Sequence, residues 1–181
     1  EKAVGRWGNF LNEEAFGAVT EESWLRFFPA SVKIGGTWHY ATFFYESIWC
    51  FIVAIWLLSV ERRGKLYRCG DCFYWYTYLY AIERGIVEQL RTDSLYILGS
   101  LRVSQLFSWL AAFIILVLWC VRARQNGSGR ITVVIAPVLL ALTAAAAISG
   151  HIWLALGAGV LAITAASAVY RQTEITREPH G

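Results

Sequence analysis

The chain has 181 residues, 57% of them hydrophobic, with nine Trp, no Met and a net charge of only +3. That composition is too apolar for an ordinary soluble domain and marks a membrane protein. The small positive excess sits in short loops, which fits a membrane surface and gives no basis for a nucleic-acid partner. With Met absent from position 1 and everywhere else, the sequence is expected to be the later part of a longer chain. Its first apolar run comes too late and is too long for a signal peptide.

Residues 5–17 read G-R-W-G-N-F-L-N-E-E-A-F-G, with Trp7, Phe10, Leu11 and Phe16 set among Gly, Asn and charge. If the segment is helical, Arg6, Asn9 and Glu13 share one side. Two readings stand: a short helix or re-entrant element turning polar groups to a cavity, or an interfacial turn anchored by aromatics. Residues 18–38 are more polar and include Pro29 and Gly35-Gly36. Residues 32–34 fit one short strand before a turn, in a water-exposed head.

The first spanning helix is predicted over 42–60, close to the roughly 20 residues a bilayer requires. Glu46 lies one turn inside it, where a charge demands a partner. His39 and Tyr45 fit an aromatic entrance, and His39 reads as interfacial without chemistry. Cys69-Gly-Asp-Cys72 has no second Cys pair and no His ligands, so neither a metal nor a cofactor is expected.

The second span is predicted over 72–90 and contains Y-A-I-E-R-G-I-V-E-Q-L-R. Tyr80, Arg84, Glu88 and Arg91 recur at helical spacing and stack on one face, with Ile82, Ile86, Val87 and Leu90 opposite. A charge at the centre of a membrane helix costs roughly 2.5–3.5 kcal/mol. Glu83, Arg84 and Glu88 therefore need partners, water or a function.

A third span is predicted over 101–121. Two more, over 131–149 and 152–170, form a hairpin turned at Gly150-His151. Both arms are rich in Ala and Gly, which lets membrane helices pack closely, and read as structural. The expected fold is an all-α polytopic membrane protein with about five transmembrane helices and a short outer-face head or re-entrant segment. Residues 1–125 would form one membrane domain with outer-face loop 18–38, residues 126–170 an additional hairpin, and residues 171–181 a flexible cytoplasmic tail. Arg62, Arg63, Lys65, Arg68, Arg122, Arg124, Arg130, Arg171 and Arg177 fall on one side, which the positive-inside rule makes cytoplasmic. Residues 5–17, His39 and the Arg91–Asp93 loop then gather on the outer side.

Arg6, Arg84, Arg91 and Arg102 place four guanidinium groups near that leaflet. Their planar forks suit phosphate, and Glu14, Glu46, Glu88 and Asp93 are placed to orient them. A basic, aromatic-edged cavity at headgroup depth suits an anionic phospholipid. No catalytic triad order, zinc spacing or nucleotide loop is present.

Several motifs carry a resemblance. The 5–17 segment, T-F-F-Y-E-S at 42–47, G-D-x-F-Y-W-Y at 70–76, Y-x-x-x-R-x-x-x-E-x-x-R-T-D-S-L at 80–95 and R-V-S-Q at 102–105 resemble the prolipoprotein diacylglyceryl transferase family, in its order and spacing, over about residues 3–124. The resemblance implies an enzyme of the bacterial plasma (inner) membrane, multi-pass, with its active face outward. It would transfer the diacylglyceryl group of phosphatidylglycerol to the lipobox cysteine of a prolipoprotein, releasing glycerol phosphate. It implies catalytic roles for Arg84, Arg6, Glu88 and Tyr80, and phosphatidylglycerol binding by Arg6, Asn9, Glu14, Gly17, Arg84 and Arg91. The implied partners are phosphatidylglycerol, the prolipoprotein signal peptide and the bilayer.

The sequence departs from the family in three places. Tyr40-Ala41 stand where the family has His-Pro, so no role passes to His39. The family's early helices and His-Gly-Gly motif are missing. The 131–170 hairpin lies beyond the family's usual final helix. A non-catalytic, phospholipid-binding remnant of such an enzyme is the alternative. An ion transporter using Glu83, Arg84 and Glu88 is a weaker reading, since no internal repeat is visible.

Overall fold

A computed structural model describes residues 2–12, 17–20, 22–92, 95–98, 101–127 and 130–174. Helix α1 (Lys2–Leu11) precedes strands β1 (Ser31–Ile34) and β2 (Thr37–Tyr40). Helices α2 (Thr42–Arg62) and α3 (Asp71–Val87) follow, then strands β3 (Tyr96–Leu98) and β4 (Leu101–Arg102). Helices α4 (Val103–Gln125), α5 (Arg130–Ile148) and α6 (Ile152–Arg171) complete the order. The protein is an all-α polytopic membrane protein whose only sheets, among the described residues, are two small hairpins.

Among the described residues, four helices are long and apolar enough to cross a membrane: Thr42–Arg62, Val103–Gln125, Ile131–Ile148 and Ile152–Arg171. Helix α3, the second predicted span, falls outside that measure because its 17 residues are short and carry Asp71, Glu83 and Arg84. A 3-10 turn at Glu88–Leu90 continues it by three residues. The third span begins two residues later than predicted, because Leu101 and Arg102 pair in β4.

Large apolar side chains point away from the bundle along α2, α4, α5 and α6. Phe51, Ile55, Phe113, Ile114, Val138 and Leu161 are each half or more exposed. In a soluble protein this would be an aggregation surface; here it is the lipid-facing one. The inner faces meet around an aromatic knot. Trp75 of α3 lies 4.5 Å from Trp119 of α4, and Tyr170 of α6 lies 5.3 Å from Trp75, ring centre to ring centre. The α5 and α6 arms meet through small residues such as Ala136, Ala147, Ala155 and Ala162, all fully buried, as the Ala-rich hairpin predicts.

The head is more ordered than one strand and a turn. β1 and β2 form an antiparallel hairpin pairing Ser31 with Tyr40 and Ile34 with Thr37. The chain at 17–20 runs along β2, with Thr20 N–H donating to the Trp38 carbonyl at 2.7 Å. His39 lies within β2, so it is part of the head and not of an entrance to α2. Contacts between the head and the helices include the Tyr45 hydroxyl donating to the Ala30 carbonyl, Phe28 against Phe44, and Trp24 stacked on Trp153 at the start of α6.

Candidate active site

α2 and α3 run antiparallel, so the beginning of α2 and the end of α3 meet at one end of the bundle. α1 lies beside the first turns of α2, held by a Trp7 Nε1–H bond to Ser47 Oγ at 3.2 Å and by the edge of Trp7 against Phe43. Of the 5–17 segment, residues 5–11 are therefore helical, and Gly17 lies in a β-bridge. Its Arg6 projects toward α2.

These elements converge on Glu46. Arg6 Nε lies 2.6 Å from Glu46 Oε2, while Arg84 Nη1 and Arg91 Nη1 lie 2.9 and 3.5 Å from Oε1. The second guanidinium nitrogen of Arg84 reaches Glu88 Oε2 at 2.8 Å, one helical turn on. Among the described ion pairs, three guanidiniums thus share two carboxylates. The two carboxylate side chains are 2–3% exposed, whereas the arginines keep 10–22%. Access is therefore to the cations, and the buried acids hold them in place. A carboxylate this deep is tolerated only when donors surround it, and a preorganised cluster of forked donors is an anion site.

The loops around the cluster are stitched together. Gly17 N–H donates to the Tyr40 carbonyl at 3.1 Å, and Gly17 pairs with Arg91 in a β-bridge. His39 Nδ1 donates to the Gly17 carbonyl at 3.0 Å, and its Nε2 lies 2.9 Å from Thr37 Oγ1. A Cβ on Gly17 would come within 2.6 Å of Tyr40 Cβ and 2.7 Å of the Tyr40 carbonyl oxygen. Glycine is needed there for close backbone approach. The His39 ring fastens this seam.

Of the residues predicted for the site, Arg6, Arg84, Glu88 and Arg91 come together directly. Gly17 holds the loop beside them. Tyr80 lies one turn before Arg84 on α3, with its ring stacked on Tyr76. Asn9 lies on α1, but its side chain is outside the described residues, as is Glu14 altogether. Arg102 stands just before α4, paired with Tyr96. Glu46 was foreseen only as one of several acids able to orient arginines. Its central position had one signal in the sequence, an acid inside an apolar run. Among the described residues no group of His, Cys, Asp and Glu is arranged to hold a metal ion.

A model of the family described as prolipoprotein diacylglyceryl transferase matches residues 1–121, two thirds of the sequence and every element of this cluster. The chain belongs to the prolipoprotein diacylglyceryl transferase family. It is similar to proteins named phosphatidylglycerol–prolipoprotein diacylglyceryl transferase in several bacteria. The Lactobacillus acidophilus protein is 40% identical over 127 residues, covering 67% of this chain and 45% of that protein. The Clostridium botulinum (strain 657 / Type Ba4) protein is 46% identical over 111 residues, covering 59% and 43%. The Lactobacillus gasseri protein is 38% identical over 129 residues, covering 68% and 46%. The chain thus spans less than half the length of these curated relatives. No solved structure matches. The family match stops within α4, so the α5–α6 hairpin lies outside it.

Proposed function

We propose that the protein to which this chain belongs transfers the diacylglyceryl group of phosphatidylglycerol to the lipobox cysteine thiol of a prolipoprotein. The observation that carries this reading is the convergence of Arg6, Arg84 and Arg91 on buried Glu46. The cysteine sulfur attacks the glycerol carbon that bears the phosphate ester and a thioether C–S bond forms. The C–O bond breaks, glycerol phosphate departs with the bonding pair, and the thiol proton is released. Little covalent chemistry falls to the protein. Its main task is to hold the phosphate and neutralise the charge growing on its leaving oxygen, work that preorganised cations do best in a partly dry site.

Arg84 and Arg6 are the phosphate clamp in this scheme, Arg91 assists, and Glu46 and Glu88 aim the forks. Tyr80, Asn9 and Glu14 are assigned to substrate binding by their motif positions. The enzyme lies in the bacterial plasma membrane with this cluster outward, a reading supported by Arg62, Arg63, Arg122 and Arg124 at the opposite ends of the helices. Residues 1–125 are its transferase unit, and 126–170 an added hairpin followed by a cytoplasmic tail.

The test is complementation. In cells depleted of their own enzyme, the full-length protein should convert a lipobox substrate to its diacylglyceryl form, read by mass spectrometry. Arg84→Ala and Arg6→Ala should each lower that conversion by about 10²-fold or more, at unchanged protein level. Full conversion by both variants would overturn the clamp.

A further inference from the structure

Glu83 precedes Arg84 but, at about 100° per residue, faces a different side of α3. It is only 6% exposed, and neither carboxylate oxygen has a hydrogen-bond partner among the described residues. A buried acid without donors is an exception that calls for an explanation. Arg84, Arg6 and Arg91 act on Glu83 electrostatically, but among the described residues none of them forms an ion pair or hydrogen bond with it.

Glu83 forms part of the wall of a cavity of about 370 Å³ between α2, α3 and α6. Trp49, Ile82, Ile86, Leu156, Gly159 and Val160 contribute most of its apolar surface. This is within the lower part of the range for small-molecule sites, about 300–1,000 Å³. Two other polar groups in the lining are already engaged: the Trp49 indole donates to the Leu79 carbonyl at 3.1 Å, and the Tyr45 hydroxyl to Ala30. The second acid in the lining is the exposed Glu22, and no Lys, Arg or His lines the cavity among the described residues.

We propose that this cavity binds an amphiphile with a hydrocarbon body and a hydrogen-bond-donating head free of negative charge, an amine or an alcohol, which Glu83 accepts. An anionic head would meet two carboxyls and no cation in the lining, the arginines of the cluster acting on Glu83 only from beyond ion-pair distance. The reading does not depend on the transferase assignment, because it uses none of the clamp residues.

The experiment uses the full-length protein in phosphatidylcholine nanodiscs and three photoreactive probes with one common alkyl chain. Their heads are a primary amine, an alcohol and a carboxylate. Saturable labelling is read by mass spectrometry on peptides covering 82–87 and 152–163. The amine and alcohol should label both regions, and the carboxylate about tenfold less or weaker still. Glu83→Leu keeps the volume and removes the buried carboxyl group, so the fold is retained. It should lower amine and alcohol labelling by about tenfold. Leu156→Trp fills the cavity and should abolish saturable labelling by every probe. Equal labelling by all three heads, labelling unchanged in Glu83→Leu, or no saturable labelling of these peptides would each overturn the proposal.

Discussion

At the residue scale, Glu46 does most to set the geometry of the cluster. Arg84 has a second acid in Glu88, and Arg6, Arg84 and Arg91 all meet Glu46. Replacing it by Gln keeps the shape and removes the charge that draws three guanidiniums together. Glu46→Gln should lower lipidation by about 10²-fold while leaving the protein folded, measured by substrate conversion alongside a thermal melt. Activity at the parental level would mean that the arginines are positioned by something else. The pairing of Arg84 with Glu88 was legible in the sequence because both partners lie on one helix, four residues apart. The position of Glu46 was not, because its partners come from α1, α3 and the turn after it, and no periodicity links segments so distant in the chain. The hydrogen bond from His39 to the Gly17 carbonyl was not legible either, since it required the fold.

At the scale of elements, α3 and α4 approach so closely that the residue after Arg84 must be glycine. A Cβ on Gly85 would lie 2.5 Å from Trp109 Cζ2, and the Gly85 carbonyl accepts from Gln105 Nε2 at 3.0 Å. Gly85→Ala should destabilise the protein by about 1–3 kcal/mol through overpacking. Trimming the opposing ring with Trp109→Leu in the Gly85→Ala background should recover part of that loss, read as melting temperature in detergent. If the single variant melts like the parent, the contact is looser than its geometry implies. The spanning helices were legible from length and hydropathy, since lipid requires long runs of apolar residues. The head was less so, because four-residue strands leave too short a pattern, and β2 owes its register to the 17–20 segment beside it.

At the scale of the whole molecule, a polar latch joins the α5–α6 hairpin to the transferase-family part. The Tyr170 hydroxyl of α6 donates to Asp71 Oδ2 at 2.6 Å and accepts from the Tyr67 backbone N–H at 3.1 Å. Asp71 also accepts from Arg68 N–H and lies 3.4 Å from Arg122 Nη1. Tyr170→Phe leaves a buried acid short of one donor and should cost about 1–3 kcal/mol. The effect should appear as earlier proteolysis at the end of α6 and a lower melting temperature. Unchanged values in both would remove the latch as a stabilising element. Nothing in the sequence announced it. The Ala-rich arms spoke only of close packing, and the partners are 99 residues apart.

That latch and the arginine cluster sit at opposite ends of one short helix. From Asp71 to Arg84 the rise is about 20 Å at 1.5 Å per residue, whereas a typical hydrocarbon core is about 30 Å thick. α3 therefore acts as a ruler shorter than the layer it stands in, with both of its marks polar. The surrounding bilayer must pinch inward, or one end must sit below the headgroups in a water-filled notch. In proteoliposomes of increasing acyl-chain length, lipidation should fall as the membrane thickens, because the phosphate is lifted away from the arginines waiting beneath it. A flat response would mean that the notch, and not the membrane, absorbs the difference.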